Sequence, residues 1–182
     1  AAFVALWGIG TTLNWEAFDR GSEARNRNRA PVVALPRLEF VQAVSLGYRS
    51  VLSDWYYILA LNHFGDPRNI QSAYGDLANY LDLSVGLDPA FHSAYLFGAY
   101  ALPWNRGDKW VNVEATVSLL LRGIQNFPNE WRFRFELAYC YSAHLGRFKD
   151  AGDQLAAAAN LPGAPRYLAS AATRMYTTTG DL

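Results

Sequence analysis

Apolar residues fall at helical spacing along the chain from Leu38 onward. In "FVQAVSLGYRSVLSDWYYILALNHFG" they recur at Val44, Leu52, Trp55, Ile58, Leu59 and Leu61. No stretch alternates apolar and polar residues over the length of a strand. The one β-like patch, Val32, Val33 and Leu35, is flanked by Pro31 and Pro36. The pattern predicts an all-α body over residues 38–182. Two unlike segments precede it. Residues 1–13, "AAFVALWGIGTTL", are mostly apolar and carry no charge. Residues 14–37 are polar and then proline-broken, which reads as a linker. Its Arg25, Arg27 and Arg29 read as a solvated run, or as a basic cluster at lipid headgroups weakened by Glu16, Asp19 and Glu23.

Within the body the helix breakers recur in order. Gly-Asp stands at Gly65-Asp66, Gly107-Asp108 and Gly180-Asp181, with Gly146-Arg147 in the gap, in steps of 42, 39 and 34 residues. Leu81, Ser84 and Pro89 keep the same mutual offsets as Leu120, Gly123 and Pro128, and as Leu155, Ala158 and Gly163. Small residues follow each stop, at Gly98, Ala138, and Ala171 with Ala172. Each unit is therefore a helix, a glycine turn, a second helix and a stop. A small residue on each helix lets two backbones approach closely. Such a unit cannot bury its apolar face alone, and neighbours must stack to do so.

These marks resemble the tetratricopeptide repeat family. Leu137, Ala138 and Tyr141 match its Leu-Gly-x-x-Tyr, and Ala151 and Leu155 match its Ala-x-x-x-Phe. The first unit offers Trp55, Ile58 and Leu59, with Asn62 where Tyr is usual. The second offers Phe97-Gly98, Thr116, Leu120 and Pro128. Arg134 stands where Trp is preferred, and the first two units carry insertions, "DPRNIQSAY" in the first. The resemblance covers three and a half units from about Ala43 to Leu182. It implies an α-solenoid of three to four stacked antiparallel helix pairs, a tetratricopeptide-like superhelix. The terminal "TTTGDL" implies an array that continues, or a capping helix over residues 167–182.

Composition narrows the function classes. Sixteen basic residues balance sixteen acidic ones, which removes the bulk electrostatic basis for nucleic-acid binding. The single cysteine, Cys140, excludes an intrachain disulfide and a multi-cysteine metal site. Its place in "LAYCYSA" predicts a buried structural thiol. No H-E-x-x-H, Cys-x-x-Cys, G-x-x-x-x-G-K-[ST] or G-x-S-x-G occurs. No catalytic residue, metal ligand or cofactor is assigned, and the chain reads as non-enzymatic. Asp54, alone in an aromatic-rich helix, reads as part of an exposed stripe.

In the tetratricopeptide-like arrangement, first helices line a concave groove. The resemblance selects Tyr56 and His63 in the first unit, His92 and Tyr95 in the second, and Arg132, Phe135 and Tyr139 in the third. Arg166 and Tyr176 follow at the end. This set is aromatic and basic, the residue types that anchor protein interfaces. The turn "LPWNRGDKWVN" adds Trp104 and Trp110 as a second candidate surface, or as side chains tucked back on their own domain.

Three readings of residues 1–13 stand: the end of a membrane anchor or signal segment, a helix docked on a partner, or a core helix of this chain. With the first, the chain reads as a membrane-associated scaffold, on the periplasmic rather than the cytoplasmic side. It would be an accessory subunit of a bacterial cell-envelope complex such as a pilus, secretion or respiratory assembly. Its expected partners are proteins, with a membrane contact through residues 1–13 and no nucleic acid. The competing readings are a structural protein that self-assembles through its solenoid ends, and an enzyme on a helical scaffold.

Overall fold

The structure, a computed structural model, describes residues 35–70, 72, 74–106 and 109–179. Residues 1–13, most of the linker, Gly107 and the Gly180-Asp181 turn lie outside the described residues. The chain divides into two units between Leu35 and Pro36.

The unit that begins at Pro36 is helical. Among the described residues there are eight α-helices: α1 (Leu38–Val44), α2 (Arg49–Gly65), α3 (Leu77–Leu87), α4 (His92–Ala101), α5 (Val113–Asn126), α6 (Trp131–Tyr139), α7 (Phe148–Ala159) and α8 (Tyr167–Thr179). The breakers read from the sequence fall between them. Gly65 ends α2, Pro89 lies between α3 and α4, Pro128 between α5 and α6, and Gly163 between α7 and α8. Gly146 turns the chain into α7 with φ +65°, a left-handed conformation that favours glycine. The last turn of α6 widens into a π-helical one over Cys140–His144. The backbone N–H of Arg147 then donates to the carbonyl of Tyr141 at 2.8 Å.

Two connections differ from plain turns. The insertion after α2 forms a 3-10 turn over Pro67–Ile70. The second insertion, expected as a turn, is a short antiparallel hairpin of β1 (Trp104–Arg106) and β2 (Lys109–Val111), with Trp104 opposite Val111. Three-residue strands are too short to leave a periodic signal in the sequence.

Helices pack chiefly on their neighbours in the chain, with further contacts of α1 on α3, α3 on α5 and α4 on α6. Small residues permit the close approaches. A Cβ on Gly98 of α4 would collide with Leu119 Cδ2 of α5 and lie 3.1 Å from Leu81 Cδ1 of α3. Ser53 of α2 and Ser84 of α3 are fully buried, and the Ser53 hydroxyl donates to the Ser84 carbonyl at 2.8 Å. The two hydroxyl oxygens also lie 3.2 Å apart, within hydrogen-bond reach of each other, so neither buried hydroxyl is left without a partner. Leu38 of α1 lies against Gly86 of α3, where a Cβ would come within 2.6 Å of its side chain. The core runs continuously from Ala60 through Leu81, Tyr95, Leu120, Phe133, Leu137 and Leu155 to Leu168 and Ala172. Cys140 is buried in it, and burial pushes its thiol up to about 11, so it stays protonated and inert at neutral pH.

Candidate protein-binding surface

The residues singled out by sequence separate into surface and core. On α6, Arg132 and Tyr139 are two turns apart and both exposed. The Arg132 guanidinium lies 5.7 Å from the Trp131 ring centroid, and its Nε is 3.8 Å from Glu130. The Trp131 ring and the Glu130 carboxylate flank the guanidinium while leaving it 57% exposed. Phe135 is half-buried, edge-on to Trp131 at 6.1 Å. Tyr139 keeps 56% of its surface, with His144 edge-on at 5.4 Å.

The α4 candidates lie deeper. Tyr95 is 1% exposed, contrary to its assignment as a groove residue. Its ring lies edge-on to Phe127 and Phe133. The slot exists because Gly123 of α5 has no side chain: a Cβ there would stand 3.2 Å from Phe133 and 3.3 Å from Tyr95. The Tyr95 hydroxyl donates to the Pro89 carbonyl and accepts from Asn126 Nδ2 at 3.0 Å, so it is a satisfied core group. His92 is half-buried. Its ring meets Phe127 and Phe133, and Nε2 is 3.8 Å from Glu130 Oε2.

On α2, Tyr56 is half-buried. His63 is half-buried between Tyr74 and Tyr80, and Asn69 Nδ2 donates to its carbonyl at 2.8 Å. Burial lowers the imidazole below its ordinary value, against the pull of Asp76 and Asp66, so the ring is neutral at pH 7. At the other end Arg166 is exposed. Tyr176 packs on Gly152 of α7, where a Cβ would come within 2.6 Å of its ring, and its hydroxyl donates to Asp153 at 2.8 Å. It therefore ties α8 to α7.

The two tryptophans of the hairpin diverge. Trp104 turns inward, edge-on to the buried Tyr74 at 4.9 Å. Trp110 keeps 37% of its surface and lies on His144 at 4.1 Å, which links the hairpin to the end of α6. Only Trp110 remains available as a loop contact.

One pair has no counterpart among the residues singled out by sequence. Tyr100 of α4 is 67% exposed, and its hydroxyl donates to Glu136 Oε1 of α6 at 2.6 Å. Glu136 is only 9% exposed. Burial raises its carboxyl above the ordinary carboxylate range, partly offset by the tyrosine hydrogen bond. The carboxylate in turn raises the Tyr100 phenol to about 12. The available signal was one acid inside the apolar run "RFRFELAYC". The Arg132 charge partly offsets the rise at Tyr100, and Tyr100 of α4 and Arg132 of α6 are both exposed. Tyr100, Glu136 and Arg132 include no nucleophile beside a base and no pair of converging acids. Among the described residues no three His, Cys, Asp or Glu side chains cluster as metal ligands, and no helix is long and apolar enough to cross a membrane.

No family model, curated protein or solved structure matches the chain.

Proposed function

We propose that the chain is a non-enzymatic protein–protein interaction scaffold, built as a tetratricopeptide-like stack of antiparallel helix pairs. One observation carries the reading: α4 and α6 lie side by side and offer Tyr100, Arg132 and Tyr139 to solvent from well-packed helices. Tyrosine and arginine on a rigid support give large contact area at small conformational cost, the composition of binding hot spots. The helix order and the small residues between helices support the repeat reading, because each element leans on its sequence neighbours. The apolar segment at residues 1–13 supports a role as accessory subunit of a membrane-associated or cell-envelope complex.

The test is a crosslinking pull-down with the full chain as bait. A stable partner should be retained by the wild type and lost with Arg132→Ala/Tyr139→Ala. Both side chains are exposed, so the double variant keeps its fold by circular dichroism. Retention of the same partner by the folded variant removes this surface from the proposal.

A further inference from the structure

The two ends of the helix series are unlike. The last described helix, α8, turns Ser170, Thr173, Arg174 and Thr177 to solvent, with Tyr167 also exposed at its start. The first two helices do the opposite. Both α1 and α2 pack on α3; Phe40 of α1, Leu46 and Tyr48 of the turn between them, and Val51, Trp55 and Ile58 of α2 are each between 47% and 86% exposed. Val51, Trp55 and Ile58 are spaced i, i+4, i+7, so they form a single seam along α2. We propose that this face is a self-association surface, through which two copies of the chain pair about a two-fold axis.

Area and charge favour a second copy. At these exposures the six side chains offer on the order of 800 Å², against about 800 Å² per partner in a stable standard interface. A monomer rarely leaves so large an apolar patch open. None of the six is charged, so the seam itself meets no like-charge repulsion across a two-fold axis, and only the two copies of Asp54 beside it do. A lipid surface fits less well. The exposed Asp54 borders the seam, and no cluster of basic residues is there among the described residues to meet anionic headgroups.

Sedimentation velocity of the full chain across two decades of concentration about the micromolar range tests this. The expected result is a reversible monomer–dimer equilibrium. Trp55→Glu/Ile58→Glu should weaken dimerisation at least about tenfold, and Ser170→Glu/Thr173→Glu on α8 should leave it unchanged. In the unmodified protein, α2 amides should gain hydrogen-exchange protection as concentration rises, which needs no variant to fold. A monomer at every concentration overturns the proposal, including one that instead co-sediments with anionic vesicles. So does a dimer that survives the α2 double variant, or a polymer that keeps growing and is stopped by the α8 variant.

Discussion

Aligned on their buried alanines, Ala60 and Ala138, α2 and α6 stand one residue off the register read from the sequence, which set Leu59 and Asn62 against Ala138 and Tyr141, and their matching positions have opposite outcomes. Trp55 and Ile58 lie five and two residues before the buried Ala60, and Phe133 and Glu136 lie five and two before the buried Ala138. Trp55 is 55% exposed and Phe133 is fully buried; Ile58 is 47% exposed and Glu136 is 9% exposed. In α2 an isoleucine keeps nearly half its surface in water, and in α6 an acid is taken out of it. Residue chemistry did not set these environments. What set them is whether another helix stands on that side: α6 has α4 beside it, and α2 has no counterpart there among the described residues. Each mismatch has its own sense. The exposed apolar seam asks for a partner, and the buried acid is tolerated because Tyr100 donates to it.

The largest test of this comparison is truncation at the corresponding aromatic positions. Phe133→Ala empties a site lined by Tyr95, Phe127 and His92 and should cost about 3–5 kcal/mol. Trp55→Ala at the matching place on α2 should change monomer stability by less than about 0.5 kcal/mol. Urea midpoints of both variants, at a protein concentration that keeps the chain monomeric, measure the difference. Equal losses would mean that α2 is covered within the monomer.

Next in size is the buried acid. Because burial raises the Glu136 carboxyl, the folded chain holds that proton more tightly than the unfolded chain does. The stabilisation from this group is therefore complete below the ordinary carboxylate range and is lost as pH rises through the raised value. Glu136→Leu removes a desolvated charge and should stabilise by about 1–2 kcal/mol at neutral pH. The gain should vanish or reverse in acid, where the neutral carboxyl keeps its tyrosine and leucine has none. Denaturation midpoints at about pH 4 and about pH 8 read this out, and a gain independent of pH would assign it to packing alone.

Much of this is legible in the sequence, and the rest is not for definable reasons. Periodicity places the helices, and Gly65, Pro89, Pro128, Gly146 and Gly163 mark where they break, because turn and breaker chemistry is local. The repeat spacing points to Arg132 and Tyr139 as surface residues and the inserted turn points to Trp110, and each keeps exposed area. The same rule points to Tyr95, which is core, because its fate depends on the missing Cβ of Gly123, a residue 28 positions away. Tyr100 and Glu136 meet across 36 positions, and nothing in either local pattern encodes that pairing. Trp104 and Trp110 look alike in one short stretch and point to different neighbours, Tyr74 and His144.

The small residue itself differs along the series. Ala60 and Ala138 accommodate a methyl group, whereas Gly98, the small residue of α4, has Leu119 where a Cβ would sit. Leu119 is itself 1% exposed and has little room to turn aside. Gly98→Ala gains about 1 kcal/mol of helix propensity and loses about 1–3 kcal/mol to overpacking. The net expectation is a loss of about 1 kcal/mol, read as a shift in the urea midpoint with unchanged slope. A stabilised variant would show that α4 and α5 can separate without penalty, and that the α4 register is looser than that of α2 and α6.

The smallest effect on stability gives the cleanest comparison. Ile58→Glu places the same side chain at corresponding positions of α2 and α6. At position 58 the new carboxylate faces water and should change monomer stability by less than about 0.5 kcal/mol. Its titration should follow an ordinary glutamate, since neither desolvation nor a tyrosine acts on it. Glu136 in the same molecule should titrate higher, because burial penalises its charged form. Carbon-13 NMR of the two side-chain carboxyls, in a sample dilute enough to exclude dimers, separates them in one experiment. If the two groups titrate together, α6 is no more enclosed than α2, and the contrast between an open α2 and a covered α6 fails. If Glu136 lies higher, the same residue type has reported its neighbours directly, and the seam at Val51, Trp55 and Ile58 stands as a face that this part of the chain does not cover for itself.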